Sequence, residues 1–172
     1  VDGDLGLAGL ALAGLSPPEG RGQRTSVTTR DGTFLVIDES YNANPASMRA
    51  AIELLGATRV ARTGRRIAVL GEMLEMGVES PAFHKALAPI IAAATADLVF
   101  CCGKNMKGLA DALSPAVLGG WADNSAALVN AVVAEARPDD VFMVKGSLGS
   151  RMVPIVHALK ALDLQPQHAN GG

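Results

Sequence analysis

Aromatic residues are scarce in this chain of 172 residues, with one Trp, one Tyr and four Phe. A folded core must therefore be built from Ala, Leu, Val, Ile and Met. Cysteine is scarcer still, and the two present, Cys101 and Cys102, are adjacent. Neighbours along a strand point to opposite faces, which argues against a mutual disulfide. The pair also lacks the CxxC spacing of zinc or thiol-exchange sites, so it reads as two reduced thiols in a strand and favours a reducing compartment. Neither charge sign dominates: 15 Lys and Arg stand against 17 Asp and Glu. No basic stripe is interleaved with aromatics, which argues against a nucleic-acid partner. No run reaches the roughly 18 apolar residues of a membrane-spanning helix. Leu5 to Leu15 comes nearest, but Gly6, Gly9 and Gly14 interrupt it. Asp2 and Asp4 stand where a secretory signal would carry basic residues.

Several signatures of chemistry are missing as well. The sequence has no GxxxxGK[ST] phosphate loop, no GxGxxG after a strand, no GxSxG elbow and no cluster with metal-ligand spacing. A Walker-type cradle, a dinucleotide site, a serine-hydrolase centre and a metal centre all lack support.

What is present is a folded domain. Hydrophobic residues make up 49% and charged residues 19%, which is globular rather than disordered composition. Ser16-Pro17-Pro18-Glu19-Gly20-Arg21-Gly22 concentrates chain breakers and marks a boundary or hinge. The expected division is the end of a preceding domain and a linker over 1–19, a single domain over 20–164, and a disordered tail over 165–172. Val1 in place of Met fits a piece of a longer protein.

Within the domain, Asp31-Gly32 between two β-prone runs predicts a hairpin, with strands over 25–29 and 33–37. Asn44-Pro45 predicts a helix start, followed by a buried stripe of Met48, Ile52 and Leu55. Strands are expected at 67–70, 98–102 and 141–144, with a short one at 116–118. Helices are expected from Ser80-Pro81, bearing Phe83, Leu87 and Ile91 and kinked by Pro89; around 106–113; after Asn124; and through Met152 to Leu159. Alternating strands and helices imply an α/β fold, Rossmann-like, with a mostly parallel sheet, helices on both faces and an N-terminal β-hairpin.

Ligands of such sheets bind beyond the C-terminal ends of the strands, which singles out three junctions. The first, Asp38-Glu39-Ser40-Tyr41-Asn42-Ala43-Asn44-Pro45, offers carboxylates for a ribose or a hydrated magnesium ion and amides able to read a purine edge. It could equally be a polar loop in which Asn44 only caps a helix. The second, Lys145-Gly146-Ser147 with Arg151, offers cations for phosphate or carboxylate, or an ordinary surface lysine beside a turn. The third, Gly71 to Gly77, either shapes a pocket or tucks its methionines under a loop. His84 reads as an exposed helix-face residue.

Taken together, DESYNANPASM (38–48), GEMLEMG (71–77), GKNM (103–106) and KGS (145–147), preceded by Gly20-Arg21-Gly22, resemble the C-terminal domain of the Mur ligase family. The YNANP segment resembles the branch that adds D-alanyl-D-alanine to a UDP-N-acetylmuramoyl tripeptide. The resemblance implies a cytoplasmic ATP-dependent ligase working through an acyl phosphate. The P-loop and the magnesium ligands would lie in the central domain, and the UDP-sugar would bind the N-terminal one. It implies that Arg21 reaches the ATP phosphates on closure. One of Asp38 and Glu39 would lie near the ribose or hinge, and Asn42 and Asn44 near the adenine. Lys145, Ser147 and Arg151 would dock the dipeptide or shape its pocket. The competing readings are the third domain of another Mur-type or folylpolyglutamate ligase, and a non-catalytic α/β binding module.

Overall fold

The computed structural model describes residues 18–164. The connector expected at Leu5 to Leu15, Ser16-Pro17 and the tail from Gln165 lie outside the described residues. In chain order the elements are β1 (Gln23–Thr28), β2 (Thr33–Glu39), α1 (Pro45–Ala57), β3 (Arg66–Gly71), α2 (Ser80–Lys85), α3 (Ala88–Ala93), β4 (Leu98–Cys102), α4 (Lys107–Ala112), β5 (Leu118–Ala122), α5 (Ser125–Ala134), β6 (Val141–Lys145) and α6 (Val153–Lys160).

The strands form one sheet in the order β1-β2-β6-β3-β4-β5. Only the β1–β2 hairpin is antiparallel; every other pairing is parallel. The period-two alternation of the central strands divides the core in two. Ala68, Leu70, Val99, Cys101, Val141 and Met143 face one side, where Met48, Ile52 and Leu55 of α1, Ile91 of α3 and Leu109 of α4 cover them. Ile67, Val69, Phe100, Cys102, Phe142 and Val144 face the other, under Leu128 and Val132 of α5 and Ile155, Val156 and Leu159 of α6. Each fully buried aliphatic side chain contributes about 1.5–3 kcal/mol. The adjacent cysteines thus sit on opposite faces. Burial pushes the Cys101 thiol up to about 12; burial, with the negative Glu72 nearby, takes Cys102 up to about 11. Both are inert thiols.

Three expectations need correction. Pro89 does not kink one helix but separates two. It lacks an N–H and its ring would meet the carbonyl four residues back, so α2 stops at Lys85 and α3 restarts with Pro89 in its first turn. The short strand lies at Leu118–Ala122 rather than at 116–118. There the ring of Phe100 lies 2.7 Å from where a Cβ on Gly119 would sit, so glycine is what lets this strand approach β4. Finally, His84 is not exposed: it is fully buried.

Away from the strand ends that carry the candidate site, the start of β6 is fastened to β3. The buried Asp140 carboxylate accepts from the Arg65 backbone N–H (2.9 Å), Arg65 Nε (3.2 Å) and Nη2 (2.8 Å), and the Arg137 N–H (3.2 Å). Arg65 Nη1 also donates to Glu135 Oε2 at 2.9 Å and holds that carboxyl below its ordinary range. The Glu135 contribution is therefore present above the usual carboxylate pKa and lost as pH falls through its lowered folded value. Asp140→Ala strands two backbone donors and takes a carboxylate from a mostly covered guanidinium. Its expected cost is about 3 kcal/mol, or a melting temperature lower by roughly 6–12 °C, readable by thermal unfolding of this chain.

Candidate binding edge

Strands β2, β6 and β3 are neighbours, so their C-terminal ends emerge side by side. Glu39 pairs in register with Lys145, Lys145 with Leu70, and Gly71 with Cys102. The three polar junctions singled out in the sequence therefore meet along one edge, although they are far apart in the chain.

The first junction is built by Asp38, which is only 4% exposed. One carboxylate oxygen accepts from the Ser40 N–H (3.0 Å) and Ser40 Oγ (2.6 Å); the other accepts from the Gly20 N–H (3.1 Å). Gly22 N–H donates to the Asp38 carbonyl and Tyr41 N–H to the Gly20 carbonyl, completing a stitch between the chain entry and the exit of β2. Gly20 is at φ +73°, and a Cβ there would fall 2.9 Å from the Tyr41 backbone nitrogen. Only glycine lets the segment lie so close. Arg21, next to it, is exposed, and its guanidinium stacks 4.1 Å above the centre of the Tyr41 ring.

Lys145 is 3% exposed. Its ammonium donates to the Asn42 carbonyl (2.9 Å) and pairs with Glu39 Oε2 at 3.5 Å. Burial lowers its pKa, and the charge of Glu39 partly offsets that shift. The lysine lies beneath the 38–45 loop. Ser147 is similarly covered: Oγ donates to the Ala43 carbonyl (3.3 Å) and accepts from the Leu74 N–H (3.0 Å), while its backbone N–H donates to the Glu72 carbonyl (3.0 Å). One serine thus ties all three junctions together.

Asn44 performs its capping role fully. Its Oδ1 accepts from Ser47 N–H at 2.8 Å, and Ser47 Oγ accepts from its own N–H at 3.0 Å, a reciprocal capping box ahead of Pro45. Asn42 is exposed, and its Oδ1 accepts from Ala43 N–H (2.8 Å), so a ligand would meet this amide through its NH2 donors.

Two openings flank this framework. A cleft of about 460 Å³ is lined by Tyr41, Asn42, Asn44, Leu74, Met76 and Leu148. Its smaller neighbour, about 230 Å³, lies among Arg21, Glu39, Tyr41, Asn42, Ser47 and Lys145. On the other side, beyond β3 and β4, a pocket of about 370 Å³ is lined by Glu72, Cys102, Asp123, Ser125 and Arg151. Arg151 is therefore not on the same cavity as Asn42. It adopts a left-handed conformation at φ +52° with its carbonyl accepting from Ser125 Oγ at 2.6 Å. A further cavity of about 550 Å³ lies between α1 and α3 and carries none of these groups.

Glu72, which did not stand out within Gly71 to Gly77, emerges as a hub: its Oε1 accepts from Asn105 N–H at 2.8 Å. Its position directly after an apolar strand was the available signal. Among the described residues no group of three or more His, Cys, Asp or Glu is placed to hold a metal ion. The accessible functional groups at this edge are guanidiniums, amides, a phenol and the carboxylates of Glu75 and Asp123, which bind charge of either sign and planar edges.

The model of the Mur ligase, glutamate ligase domain family matches residues 20–148. Among curated proteins, the UDP-N-acetylmuramoyl-tripeptide–D-alanyl-D-alanine ligase of Mycobacterium tuberculosis is 33% identical over 168 residues, covering 86% of this chain and 32% of that protein. The ligase of the same name from Bacillus subtilis is 31% identical, covering 87% and 33%. The chain thus spans about a third of the length of these curated relatives. Among solved structures, the MurF ligase of Thermotoga maritima in complex with ADP superposes with a TM-score of 0.71 at 22% identity, covering 89% of this chain and 33% of that one. A crystal structure of MurF from Acinetobacter baumannii gives 0.73 at 24% identity, covering 88% and 33%. At these identities the superpositions speak to the fold.

Proposed function

The chain belongs to the Mur ligase family, through the domain that its family model describes, and on that premise we propose that it is the C-terminal domain of the ATP-dependent ligase joining D-alanyl-D-alanine to a UDP-N-acetylmuramoyl tripeptide. The names of its curated relatives support this reading. The observation that carries it is the meeting of the three polar junctions on one open edge, with accessible binding groups and no phosphate loop. Such an edge acts by closing over a nucleotide held elsewhere. The proposed division keeps residues 1–19 with the central domain and linker, 20–164 as the closing domain and 165–172 as a tail. Cytoplasm, where ATP and the nucleotide-sugar are available, is the proposed setting. No described helix is long and apolar enough to cross a membrane.

In the proposed reaction a tripeptide carboxylate oxygen attacks the γ-phosphorus of ATP, and the bond to ADP breaks. The dipeptide amine then attacks the acyl carbon, loses a proton and expels phosphate. Magnesium, bound with the ATP by the central domain, would neutralise phosphate charge. This domain's own residues bind and exclude water. Arg21 would exchange its stack on Tyr41 for the phosphates. An exposed cation–π contact is worth about 0.5–1 kcal/mol, whereas a charge-assisted hydrogen bond contributes about 1.5–3 kcal/mol, so closure favours the exchange. Asn42 would read the adenine edge, with Asn44 fixing the loop. Of the acidic pair, Asp38 is engaged with Gly20 and Ser40, and Glu39 lines the small cavity beside Arg21, which supports Glu39 as the partner of a ribose hydroxyl. The 370 Å³ pocket suits a zwitterionic dipeptide: Arg151 and the start of α5 for its carboxylate, Glu72 and Asp123 for its ammonium. Lys145 and Ser147 would shape these pockets from beneath.

The test uses the full-length protein containing this domain. Phosphate release should require ATP, the UDP-muramoyl tripeptide and D-alanyl-D-alanine together. Arg21→Ala should lower kcat/KM by about 10–100-fold and the domain's melting temperature by no more than about 4 °C. Phosphate release indifferent to the dipeptide, or tight ATP binding by the 172-residue chain alone, would refute the proposal.

A further inference from the structure

The segment Gly71 to Gly77 walls both openings: Glu72 lines the Arg151 pocket, and Leu74 and Met76 line the Asn42 cleft. Its own backbone preferences do not hold it there. Glu75 is a non-glycine residue at φ +63°, Gly77 shares that φ, and Leu74, Glu75 and Gly77 are exposed. The segment is fastened from outside. Asn105 N–H reaches Glu72 Oε1, Ser147 N–H reaches the Glu72 carbonyl, and Leu74 N–H reaches Ser147 Oγ. These partners belong to neighbouring loops of the same edge. The remaining tie is different in kind: Met73 N–H donates at 2.8 Å to Nε2 of His84, a ring with no solvent exposure. Because Nε2 accepts, the ring proton sits on Nδ1, where it donates to the Ser80 carbonyl at 2.6 Å in the first turn of α2. Met73 itself is buried in the core beside it.

We propose that His84 is a positioning residue: its neutral imidazole bridges α2 to the Met73 amide and fixes the wall shared by the two ligand pockets. One rigid ring supplies an acceptor to the loop and a donor to the helix. An apolar side chain would fill the volume yet leave the Met73 N–H buried without a partner. The loop would then be held only by its neighbours. The structural claim stands on these contacts alone; its effect on turnover rests on the ligase reading.

The experiment compares His84→Leu and His84→Gln in the full-length protein, by backbone amide exchange without ligands and by steady-state kinetics. His84→Leu should speed exchange across 72–77 by about tenfold or more while β3 and β6 keep their protection. It should raise KM for D-alanyl-D-alanine by about tenfold, with kcat changed less than about threefold. His84→Gln, whose amide oxygen can accept from Met73, should return both to within about threefold of wild type. Unchanged exchange across 72–77 in His84→Leu overturns the proposal, as does faster exchange spread evenly over the domain with KM unaltered. Should the Leu variant not fold, the Gln variant decides: retained protection at Met73 supports the anchor and lost protection overturns it. A wild-type enzyme that ignores the dipeptide would refute the ligase reading, and the exchange arm would still judge the anchor.

Discussion

Lys145→Met in the full-length enzyme is expected to lower kcat/KM on the order of a hundredfold and to cost about 1–3 kcal/mol of stability. The two halves of this expectation have separate causes. The ammonium is 3% exposed and its pKa is lowered chiefly by burial. Keeping it charged inside the domain therefore costs free energy that its pairing with Glu39 and Asn42 only offsets. A methionine of similar length removes that cost, but it also leaves the Glu39 carboxylate, a quarter exposed, without its cation and the Asn42 carbonyl without its donor, so the single exchange is destabilising rather than neutral. Activity falls because the lysine holds the Asn42 carbonyl at 2.9 Å. Asn42 then sets how the cleft presents its amide. Losing a hydrogen bond from a charged donor is worth about 1.5–3 kcal/mol, which is roughly 10–150-fold when it falls on the transition state. A lysine that touches substrate would also lose activity on substitution, so rate alone does not separate the two roles. Amide exchange does. Without any ligand, the 40–44 segment should exchange faster in the Met variant if the lysine clamps the loop, and at the wild-type rate if it only meets substrate. A kcat/KM within about threefold of wild type would remove Lys145 from the site altogether.

The burial of Lys145 shows where sequence reading stops. A lysine at the end of an apolar run is visible in the chain, and so is the glycine-serine turn after it. Its burial follows from the place of β6 between β2 and β3, and a non-sequential strand order leaves no local trace. The same holds for Ser147, whose partners Ala43 and Leu74 lie 104 and 73 residues away. By contrast, features set by local chemistry were legible. The Asn44-Pro45 start, the Asp31-Gly32 hairpin, the alternation of β3, β4 and β6, and the opposed cysteines all follow from periods of two or from capping within four residues. His84 reads wrongly because the stripe is drawn through Phe83; His84, Leu87 and Ile91, three and four apart, are the positions that bury, and Phe83 is only partly covered. β5 was misplaced because Gly119-Gly120 reads as a turn, whereas the Phe100 ring makes small residues a requirement of that strand. The three-junction edge itself was legible in part. The rule that parallel sheets bind ligands at their C-terminal ends singles out three loops, and the strand order brings those loops together on one edge.

Gly103→Ala should cost this domain about 3–5 kcal/mol and lower its melting temperature by about 10–15 °C. Two independent penalties add at this position. Gly103 sits at φ +113° and ψ 158°, a region essentially closed to residues with a Cβ, and forcing one there costs about 1–3 kcal/mol. The added methyl would also lie 2.2 Å from Glu72 Cγ, and overpacking of that kind costs about 1–3 kcal/mol more. Backbone relaxation is blocked on both sides, since Gly103 N–H donates to the Ala122 carbonyl and its own carbonyl accepts from Trp121 Nε1 at 2.9 Å. The displaced group would be Glu72, which accepts from Asn105 and lines the Arg151 pocket. A double-mutant cycle with Glu72→Ala separates the two penalties. Truncating Glu72 should recover the steric part, at least about 1 kcal/mol of non-additivity, and leave the backbone strain in place. Chemical denaturation of the single and double variants measures both. A Gly103→Ala domain within about 1 kcal/mol of wild type would mean that the β4 exit can yield, and that the wall between the pockets is softer than its contacts imply.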